Sequence, residues 1–159
     1  MRIMTVCLGN ICRSPAAEAV LNHKLAEAGL ADEVTVTSAG TADYHVGDQP
    51  HELTREVGGE LGYEFPTVGV HLAAAHLDEA DLILVMDGAN LADARALTDD
   101  VDIQAKVRLL GEFASDADTA GVREVPDPYG HPRAQFEDMY RQIEDAADGV
   151  VVAIRDGRL

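Results

Sequence analysis

The chain has 159 residues, of which 47% are hydrophobic, so it is long and apolar enough to bury a core, and we expect one domain over residues 1–159. Its 29 acidic and 12 basic residues give a net charge of −17, which disfavours nucleic acid and anionic membranes as partners, because both bind clustered lysine and arginine. No apolar run approaches the roughly 18 residues of a membrane span, and the apolar stretch at the start is too short for a signal peptide. With two cysteines only, a reducing, cytoplasmic location is expected.

Apolar runs alternate with segments of helical periodicity from the first residues onwards. A buried strand is predicted at 3–8 and a helix at 14–28, with Ser14 as its N-cap and Gly29 at its end. Strands that alternate with helices predict an α/β fold, a four-stranded parallel sheet with helices on both faces. The remaining predicted elements are, in chain order, a strand at 34–37, a turn-rich stretch at 38–50, a helix at 51–61, strands at 81–86 and 106–110 with a helix at 90–97 between them, a proline-rich loop at 125–132 and a helix at 134–154.

Both cysteines lie in the stretch C-L-G-N-I-C-R-S, Cys7 to Ser14, where the first strand passes into the first helix. At such a junction, unpaired backbone N–H groups and the positive end of the helix can bind an anion. Gly9 and Asn10 permit a tight turn there, because both tolerate left-handed backbone conformations. The stretch differs from the nucleotide-binding pattern G-x-x-x-x-G-K-[ST], since it has no lysine in the corresponding place.

Cys7 and Arg13 provide this predicted loop with a nucleophile and a positive charge. A thiol beside an arginine at a helix N-terminus is favoured as the thiolate, which is the reactive form. Arg13 can hold two phosphate oxygens at once, and Ser14 can donate its hydroxyl to the sulfur of Cys7. The pattern C-x5-R-S therefore predicts a phosphate-binding loop with covalent catalysis, the alternative being a small buried cysteine at the end of a strand.

The segment V-C-L-G-N-I-C-R-S-P, Val6 to Pro15, resembles the signature loop of the low-molecular-weight protein tyrosine phosphatases. S-A-G-T at 38–41, H-V-G at 45–47, L-I-L-V-M-D at 82–87 and D-P-Y at 127–129 resemble further segments of that family in the same order. The resemblance thus covers essentially the whole chain. It implies the flavodoxin-like, phosphotyrosine protein phosphatase I-like fold, with no cofactor and no metal.

The resemblance also implies a reaction. Cys7 would attack the phosphorus of a phosphotyrosine, Arg13 and the backbone amides of the loop would hold the phosphate, and Asp127 would protonate the leaving group and then activate water. Taken alone, Asp127 would be an ordinary turn residue among 29 acidic ones, and its D-P-Y context is what singles it out. The expected phosphate-binding residues are Leu8, Gly9, Asn10, Ile11, Cys12, Arg13 and Ser14. Phosphate and vanadate are expected ligands, and a tyrosine kinase is a possible partner.

Further residues are assigned by the same resemblance. Asn10, Ser14 and Ser38 would support the loop through hydrogen bonds, and Tyr44 and Tyr129 would form the walls of the substrate pocket. Cys12 would be able to form a disulfide with Cys7 and so protect it from over-oxidation. The alternative for Cys12 is a small residue buried under the loop.

The chain departs from the family pattern between Pro66 and His76. Thr67 and Val68 stand where the family usually carries a histidine and an arginine, which leaves open how Ser38 is supported.

Three alternatives to a tyrosine phosphatase remain. A protein arginine phosphatase has a similar loop, but the position after Asn10 is Ile11, which goes with tyrosine-directed members, whereas threonine goes with arginine phosphatases. An arsenate reductase of the same fold needs a third cysteine, which this chain lacks. The last alternative is an inactive phosphopeptide-binding module.

Overall fold

Four parallel strands form one sheet in the computed structural model, which describes all 159 residues. The strands are β1 (Arg2–Cys7), β2 (Thr35–Gly40), β3 (Leu82–Val85) and β4 (Val107–Leu109), and they lie in the order β2-β1-β3-β4. The helices are α1 (Arg13–Glu27), α2 (Glu52–Glu60), α3 (Ala74–Glu79), α4 (Gly88–Arg95), α5 (Val101–Gln104), α6 (Ala117–Ala120) and α7 (Arg133–Arg155), with a short 3-10 helix at Leu110–Phe113. The predicted α/β architecture is confirmed, and none of these helices has the length and apolar character needed to cross a membrane.

Both faces of the sheet are covered, which explains why its strands read as continuous apolar runs. Along β3, Leu82 and Leu84 belong to a cluster of 25 buried residues that includes side chains of α1 and α7. The alternate residues Ile83 and Val85 belong to a separate cluster of 10 buried residues that includes side chains of α3 and α4. Because successive side chains of a strand point to opposite faces, a strand between two helical layers has to be apolar on both.

The sheet places the ends of β1 and β3 next to each other at one edge. Since all the strands are parallel, their carboxyl ends lie at the same edge, and the chain leaves β1 and β3 towards different faces. Cys7 is the last residue of β1, and Asp87 follows β3 by two positions. The crevice between these two ends is therefore the place where a ligand site is expected in a sheet of this kind.

The predicted turn-rich stretch begins too early, and three short helices were not predicted. Residues 38–40 belong to β2 and not to a turn, because Ser38, Ala39 and Gly40 pair with the last three residues of β1. The short helices α3, α5 and α6, with four to six residues each, are too short to show a helical period in the sequence.

Candidate active site

The loop from Leu8 to Cys12 leaves its backbone N–H groups without partners in the protein. None of these five groups donates to a protein acceptor. Asn10 has a φ of 55° and is the one non-glycine residue with a positive φ, so the chain turns at the residue predicted to permit it. Three carbonyl oxygens in and next to the loop accept from backbone N–H groups of neighbouring loops, which holds them on the outside. The carbonyl of Cys7 accepts from Thr41 at 2.9 Å, that of Leu8 from Ala42 at 2.9 Å and that of Ile11 from His51 at 2.7 Å. With its carbonyls fixed on the outside, the loop forms a cradle of N–H donors for an anion.

Helix α1 begins one residue earlier than predicted, and Ser14 is not its N-cap. The helix starts at Arg13, and Cys12 occupies the capping position without a side-chain hydrogen bond. The hydroxyl of Ser14 lies within the first turn and contacts the sulfur of Cys7 at 3.1 Å. The prediction of capping was therefore wrong, because the same short side chain is used towards Cys7.

A directed chain of hydrogen bonds fixes the orientation of that hydroxyl. The side-chain nitrogen of Asn10 donates to the oxygen of Ser14 at 2.7 Å and to the oxygen of Ser38 at 3.0 Å. Since the oxygen of Ser14 accepts from Asn10, its own proton is free to point at the sulfur of Cys7. The amide oxygen of Asn10 accepts from the backbone N–H of Val70 at 2.8 Å, which determines how the amide is turned. Ser14 is thus a donor aimed at Cys7, and Asn10 sets its direction.

The chain of hydrogen bonds continues from Ser38 to a buried acid that sequence reasoning missed. The hydroxyl of Ser38 donates to Oε2 of Glu18, and the hydroxyl of Thr67 donates to the same oxygen at 3.1 Å. Glu18 is only 6% exposed and forms no ion pair, and its burial raises the pKa of its carboxyl group, an effect that the two hydroxyl donors oppose. A signal was available, since Glu18 is the single charged residue in the apolar run A-A-E-A-V.

Thr67 and Glu18 together account for the support of Ser38 in this chain. Thr67 occupies a position where the resemblance led us to expect a histidine, and its hydroxyl bonds to the acid that holds Ser38. Val68 lies largely exposed and takes no part in this network. The question left open by the sequence is therefore answered by an acid on α1.

Arg13 is buried and is held from one end of its guanidinium group. Its Nη1 donates to Oδ2 of Asp87 at 2.6 Å and to the carbonyl oxygen of Val125 at 3.1 Å. Its Nε is buried without a hydrogen-bond partner, and its Nη2 lies 3.7 Å from Oδ2 of Asp127. Nε and Nη2 form one edge of the planar group, so the edge that is not held by Asp87 is available for two oxygens of an anion.

Asp87 is the second functional candidate that the sequence analysis did not single out. Its Oδ1 accepts from the backbone N–H of Asn90 at 2.8 Å and caps α4, while Oδ2 holds Arg13. One carboxylate therefore joins the start of α4 to the guanidinium group. An acid directly after a buried strand, at the carboxyl edge of a parallel sheet, would have been a usable signal.

A cavity of about 350 Å³ opens over the cradle. Tyr44 and Tyr129 line it and are 73% and 57% exposed, in keeping with the two predicted walls. Asp127 lines it as well, and its Oδ1 accepts from the backbone N–H of Tyr129 at 3.1 Å. The full lining consists of Cys7, Leu8, Gly9, Ile11, Cys12, Arg13, Tyr44, His45, Asp127 and Tyr129.

His45 is a further lining residue that the sequence analysis did not assign to the site. A Cβ atom on Gly9 would lie 3.2 Å from Cδ2 of His45, so the absence of a side chain at Gly9 makes room for the imidazole. Its Nδ1 lies 3.0 Å from Oδ2 of Asp48, and its ring centroid lies 6.5 Å from that of Tyr129. His45 and Tyr129 therefore form adjacent parts of the cavity wall.

Cys12 lies in the same cavity, and the two cysteines differ in their surroundings. Both are buried and free. Burial, followed by the charge of Cys7, raises the pKa of Cys12 to about 12, so Cys12 is a neutral thiol near pH 7. The structure thus places the Cys7 thiol beside the donors of Ser14 and of the cradle, whereas the Cys12 thiol in the same cavity stays protonated.

The fold and the site together are those of an α/β protein with a cysteine beneath a cavity and surrounded by unpaired backbone N–H groups. The chain matches the family model "Low molecular weight phosphotyrosine protein phosphatase" over residues 2–158. A low molecular weight protein-tyrosine-phosphatase of Streptomyces coelicolor is 36% identical over 155 residues, which cover 98% of this chain and 94% of the relative. This chain therefore belongs to the low molecular weight phosphotyrosine protein phosphatase family, a family of hydrolases, as the resemblance had indicated.

Solved structures agree with this assignment. The crystal structure of a protein tyrosine phosphatase from Entamoeba histolytica, with Hepes in its active site, has a TM-score of 0.93 at 31% identity and covers 100% of this chain and 99% of that one. The arginine phosphatase YwlE, of Bacillus subtilis, has a TM-score of 0.85 at 25% identity, with 98% of this chain and 96% of that one covered. That structure is of a mutant with a phosphorylated active-site serine in place of a cysteine.

Proposed function

We propose that this protein hydrolyses phosphotyrosine in protein substrates through a phosphocysteine on Cys7, with Asp127 as general acid and then general base. The observation that carries the proposal is the convergence on one cavity of the thiol, the unpaired N–H groups of the loop and the free edge of Arg13. These groups supply a nucleophile and a positive, donor-rich site for the three equatorial oxygens of a phosphoryl group in transfer. Such a local field is needed because the protein as a whole carries a net charge of −17.

In the first step, the lone pair of the Cys7 thiolate forms a bond to phosphorus while the bond to the phenolic oxygen breaks. The proton of Asp127 passes to that oxygen, so tyrosine leaves as a neutral phenol. Ser14 donates to the thiolate before the attack and so supports its charge. The phosphoryl oxygens accept from the loop and from Nε and Nη2 of Arg13.

In the second step, a water molecule attacks phosphorus on the side that the phenol has left. Asp127, now ionised, takes a proton from the water, and the bond between sulfur and phosphorus breaks with its electron pair returning to Cys7. Inorganic phosphate and the thiolate are restored. The phosphorylated serine of the YwlE mutant supports this route, because it shows a phosphoryl group on the corresponding position of a relative.

Tyrosine phosphate is favoured over arginine phosphate by Ile11. Its side chain is buried and lines the cavity beside Cys7, where an isoleucine narrows the floor more than a threonine would. The flat walls of Tyr44 and Tyr129 suit a phenyl ring between them. Arginine phosphatase activity is the second candidate, and arsenate reduction lacks the third cysteine that it requires.

Cys12 is proposed as a redox partner of Cys7. A peroxide would oxidise the Cys7 thiolate to the sulfenic acid, and loss of the negative charge on Cys7 would remove one of the causes that raise the pKa of Cys12, burial being the larger one. The sulfur of Cys12 would then attack the sulfur of Cys7, and the hydroxyl group of the sulfenic acid would leave with the proton of Cys12 as water, forming the disulfide. A phosphotyrosine protein in the cytoplasm, together with the kinase that phosphorylates it, completes the proposed setting.

The experiment that tests the proposal is turnover of 4-nitrophenyl phosphate, with Cys7→Ser as the matched inactive variant. We expect turnover in the parent, none in Cys7→Ser and competitive inhibition by vanadate. No turnover in the parent, or retained turnover in Cys7→Ser, would overturn the proposal and in the first case favour a phosphopeptide-binding module.

Phosphotyrosine and phosphoarginine peptides assayed side by side decide between the two substrate classes. The parent should prefer phosphotyrosine, and Ile11→Thr should shift the ratio of kcat/KM values towards phosphoarginine. A parent that prefers phosphoarginine would refute the tyrosine assignment while leaving the phosphocysteine route intact.

A further inference from the structure

A second cavity, of about 320 Å³, opens beside Glu18 and shares no lining residue with the cavity over Cys7. It lies between the first half of α1 and the segment 62–67 that follows α2. Its volume is in the range of small-molecule sites in proteins. The cavity is therefore large enough for a small ligand, and Glu18 is the point where it meets the hydrogen-bond chain of the active site.

Glu18 brings an incompletely satisfied carboxylate to this cavity. Both hydroxyl donors, Ser38 and Thr67, bond to Oε2, and Oε1 accepts no hydrogen bond. Oε1 is not fully enclosed and retains contact with solvent, although Glu18 as a whole is only 6% exposed. A buried carboxylate is normally paired with a cation, and this one has none.

The other groups of the cavity favour a positively charged, planar ligand. No lysine or arginine lines it, and its remaining titratable residues are His23, Tyr63 and Glu64. His23 lies 3.3 Å from Glu27, and the hydroxyl of Tyr63 donates to Glu144 at 2.6 Å, so neither is directed at Glu18 by these contacts. The rings of Tyr63 and His23, which both line the cavity, are perpendicular with their centroids 5.3 Å apart, so part of the cavity wall is aromatic.

We propose that this cavity binds a small planar organic cation of imidazolium size, which donates one N–H to Oε1 of Glu18. A single donor fits better than a forked one, because Oε2 already accepts two hydrogen bonds. Thr67 bonds to Oε2 and, like Glu18, lines the cavity. A histidine at this position could supply the cation from within the chain.

Occupancy of the cavity would be felt at Cys7, and this part of the inference rests on the proposed function. A bound cation favours the ionised form of Glu18. Ionised Glu18 accepts the proton of the Ser38 hydroxyl, so that this proton points away from Asn10. The amide of Asn10 then keeps both of its donor positions for the two serines, and the proton of Ser14 stays on Cys7. Binding should therefore support the thiolate and raise turnover, while a protonated Glu18 leaves Ser38 free to rotate.

Binding is tested directly, without reference to catalysis, by titrating the protein with imidazole at about pH 6, where imidazolium predominates. Amide NMR signals of the cavity residues should shift and saturate with imidazole, and pyrazole, which has the same size and no charge, should produce much smaller shifts. Glu18→Gln should lose the response, whereas Asp32→Asn, which removes an exposed acid of the loop before β2, should keep it. Equal shifts with pyrazole, or an unchanged response in Glu18→Gln, would overturn the proposal.

Coupling is tested by the effect of imidazole on kcat/KM for 4-nitrophenyl phosphate. We expect a rise of about fivefold at saturation, the lower end of common coupling between sites. Thr67→His should show higher activity without imidazole and no further rise with it. An acceleration that persists in Glu18→Gln would mean that imidazole acts at a place other than Glu18 and would refute the coupling. A parent with no turnover would refute the proposed function and leave the binding result standing.

Discussion

Replacement of Asn10 tests the hydrogen-bond chain behind Cys7. One amide group donates to Ser14 and Ser38 and accepts from the N–H of Val70, at distances of 2.7, 3.0 and 2.8 Å. The residue also has a φ of 55°, which glycine adopts without strain and alanine does not. Asn10→Gly removes the side-chain hydrogen bonds and keeps the backbone conformation, whereas Asn10→Ala removes them and also strains the backbone. Asn10→Asp keeps the shape of the side chain but turns its two donated hydrogen bonds, to Ser14 and Ser38, into accepted ones.

The expected magnitudes follow from what each partner of Asn10 retains. Ser14 and Ser38 keep Cys7 and Glu18 as partners, so each loses an ordinary hydrogen bond of about 0.5–1.5 kcal/mol, while the partly buried N–H of Val70 loses its only partner at about 1–3 kcal/mol. Asn10→Gly should therefore lower the free energy of unfolding by roughly 2–6 kcal/mol. Asn10→Ala should be less stable still, because left-handed strain of about 1–2 kcal/mol exceeds the gain of about 0.4–1 kcal/mol from a stiffer unfolded chain.

Asn10→Asp should act on the reaction as well as on stability, because it also places an unpaired carboxylate at a position that is only 3% exposed. An aspartate oxygen in place of the amide nitrogen accepts the proton of Ser14, which then no longer points at Cys7. The loss of a hydrogen bond to a charged group, about 1.5–3 kcal/mol, corresponds to a fall in kcat/KM of about 10- to 150-fold.

Urea unfolding and 4-nitrophenyl phosphate kinetics measure the two effects separately. Asn10→Asp with parental kcat/KM would show that the orientation of Ser14 does not matter for Cys7. Asn10→Ala at least as stable as Asn10→Gly would contradict the positive φ as a source of strain.

Three further predictions concern Asp127, Gly40 and Glu18. Asp127→Asn should lower kcat/KM, which covers the departure of the leaving group, by about 10²–10⁴-fold for phenyl phosphate and by less for 4-nitrophenyl phosphate, whose leaving group needs less protonation; an equal loss for both substrates would count against the acid role. Gly40→Ala should cost about 1–3 kcal/mol in urea unfolding and lower turnover, since its Cβ would lie 2.8 Å from the carbonyl oxygen of Leu8, and parental values would contradict this close approach. Burial raises the pKa of Glu18 in the folded protein above its ordinary value of 4.5. As the pH rises from 4.5 through the raised value, the folded protein loses the stability that depends on the protonated carboxyl group. Glu18→Gln stays neutral, so its melting temperature should rise relative to that of the parent between about pH 4 and 8. A constant difference in melting temperature over that range would contradict the raised pKa.

Much of the fold and the centre of the site could be read from short-range patterns. The buried strand, the loop of Cys7 to Arg13 and the following helix are neighbours in the chain, so their geometry is constrained by local backbone preferences and by the period of apolar residues. The same patterns failed where one side chain had two uses. By residue type Ser14 fits both an N-cap and a donor to the Cys7 sulfur, both of which the sequence predicted, and only the structure shows that the hydroxyl contacts Cys7 and does not cap the helix.

The sequence by itself determined the α/β class, the anion loop and the family, because each depends on residues that are close together or on a pattern that runs through the chain. Only the tertiary structure decided which distant groups complete the loop. Glu18 and Thr67 meet Ser38, and Asp87 meets Arg13, through contacts between elements up to 74 residues apart. Hydrogen bonds act over about 3 Å in space and carry no mark in the spacing along the chain, so the partners of Ser38 and Arg13 became visible only in the folded structure.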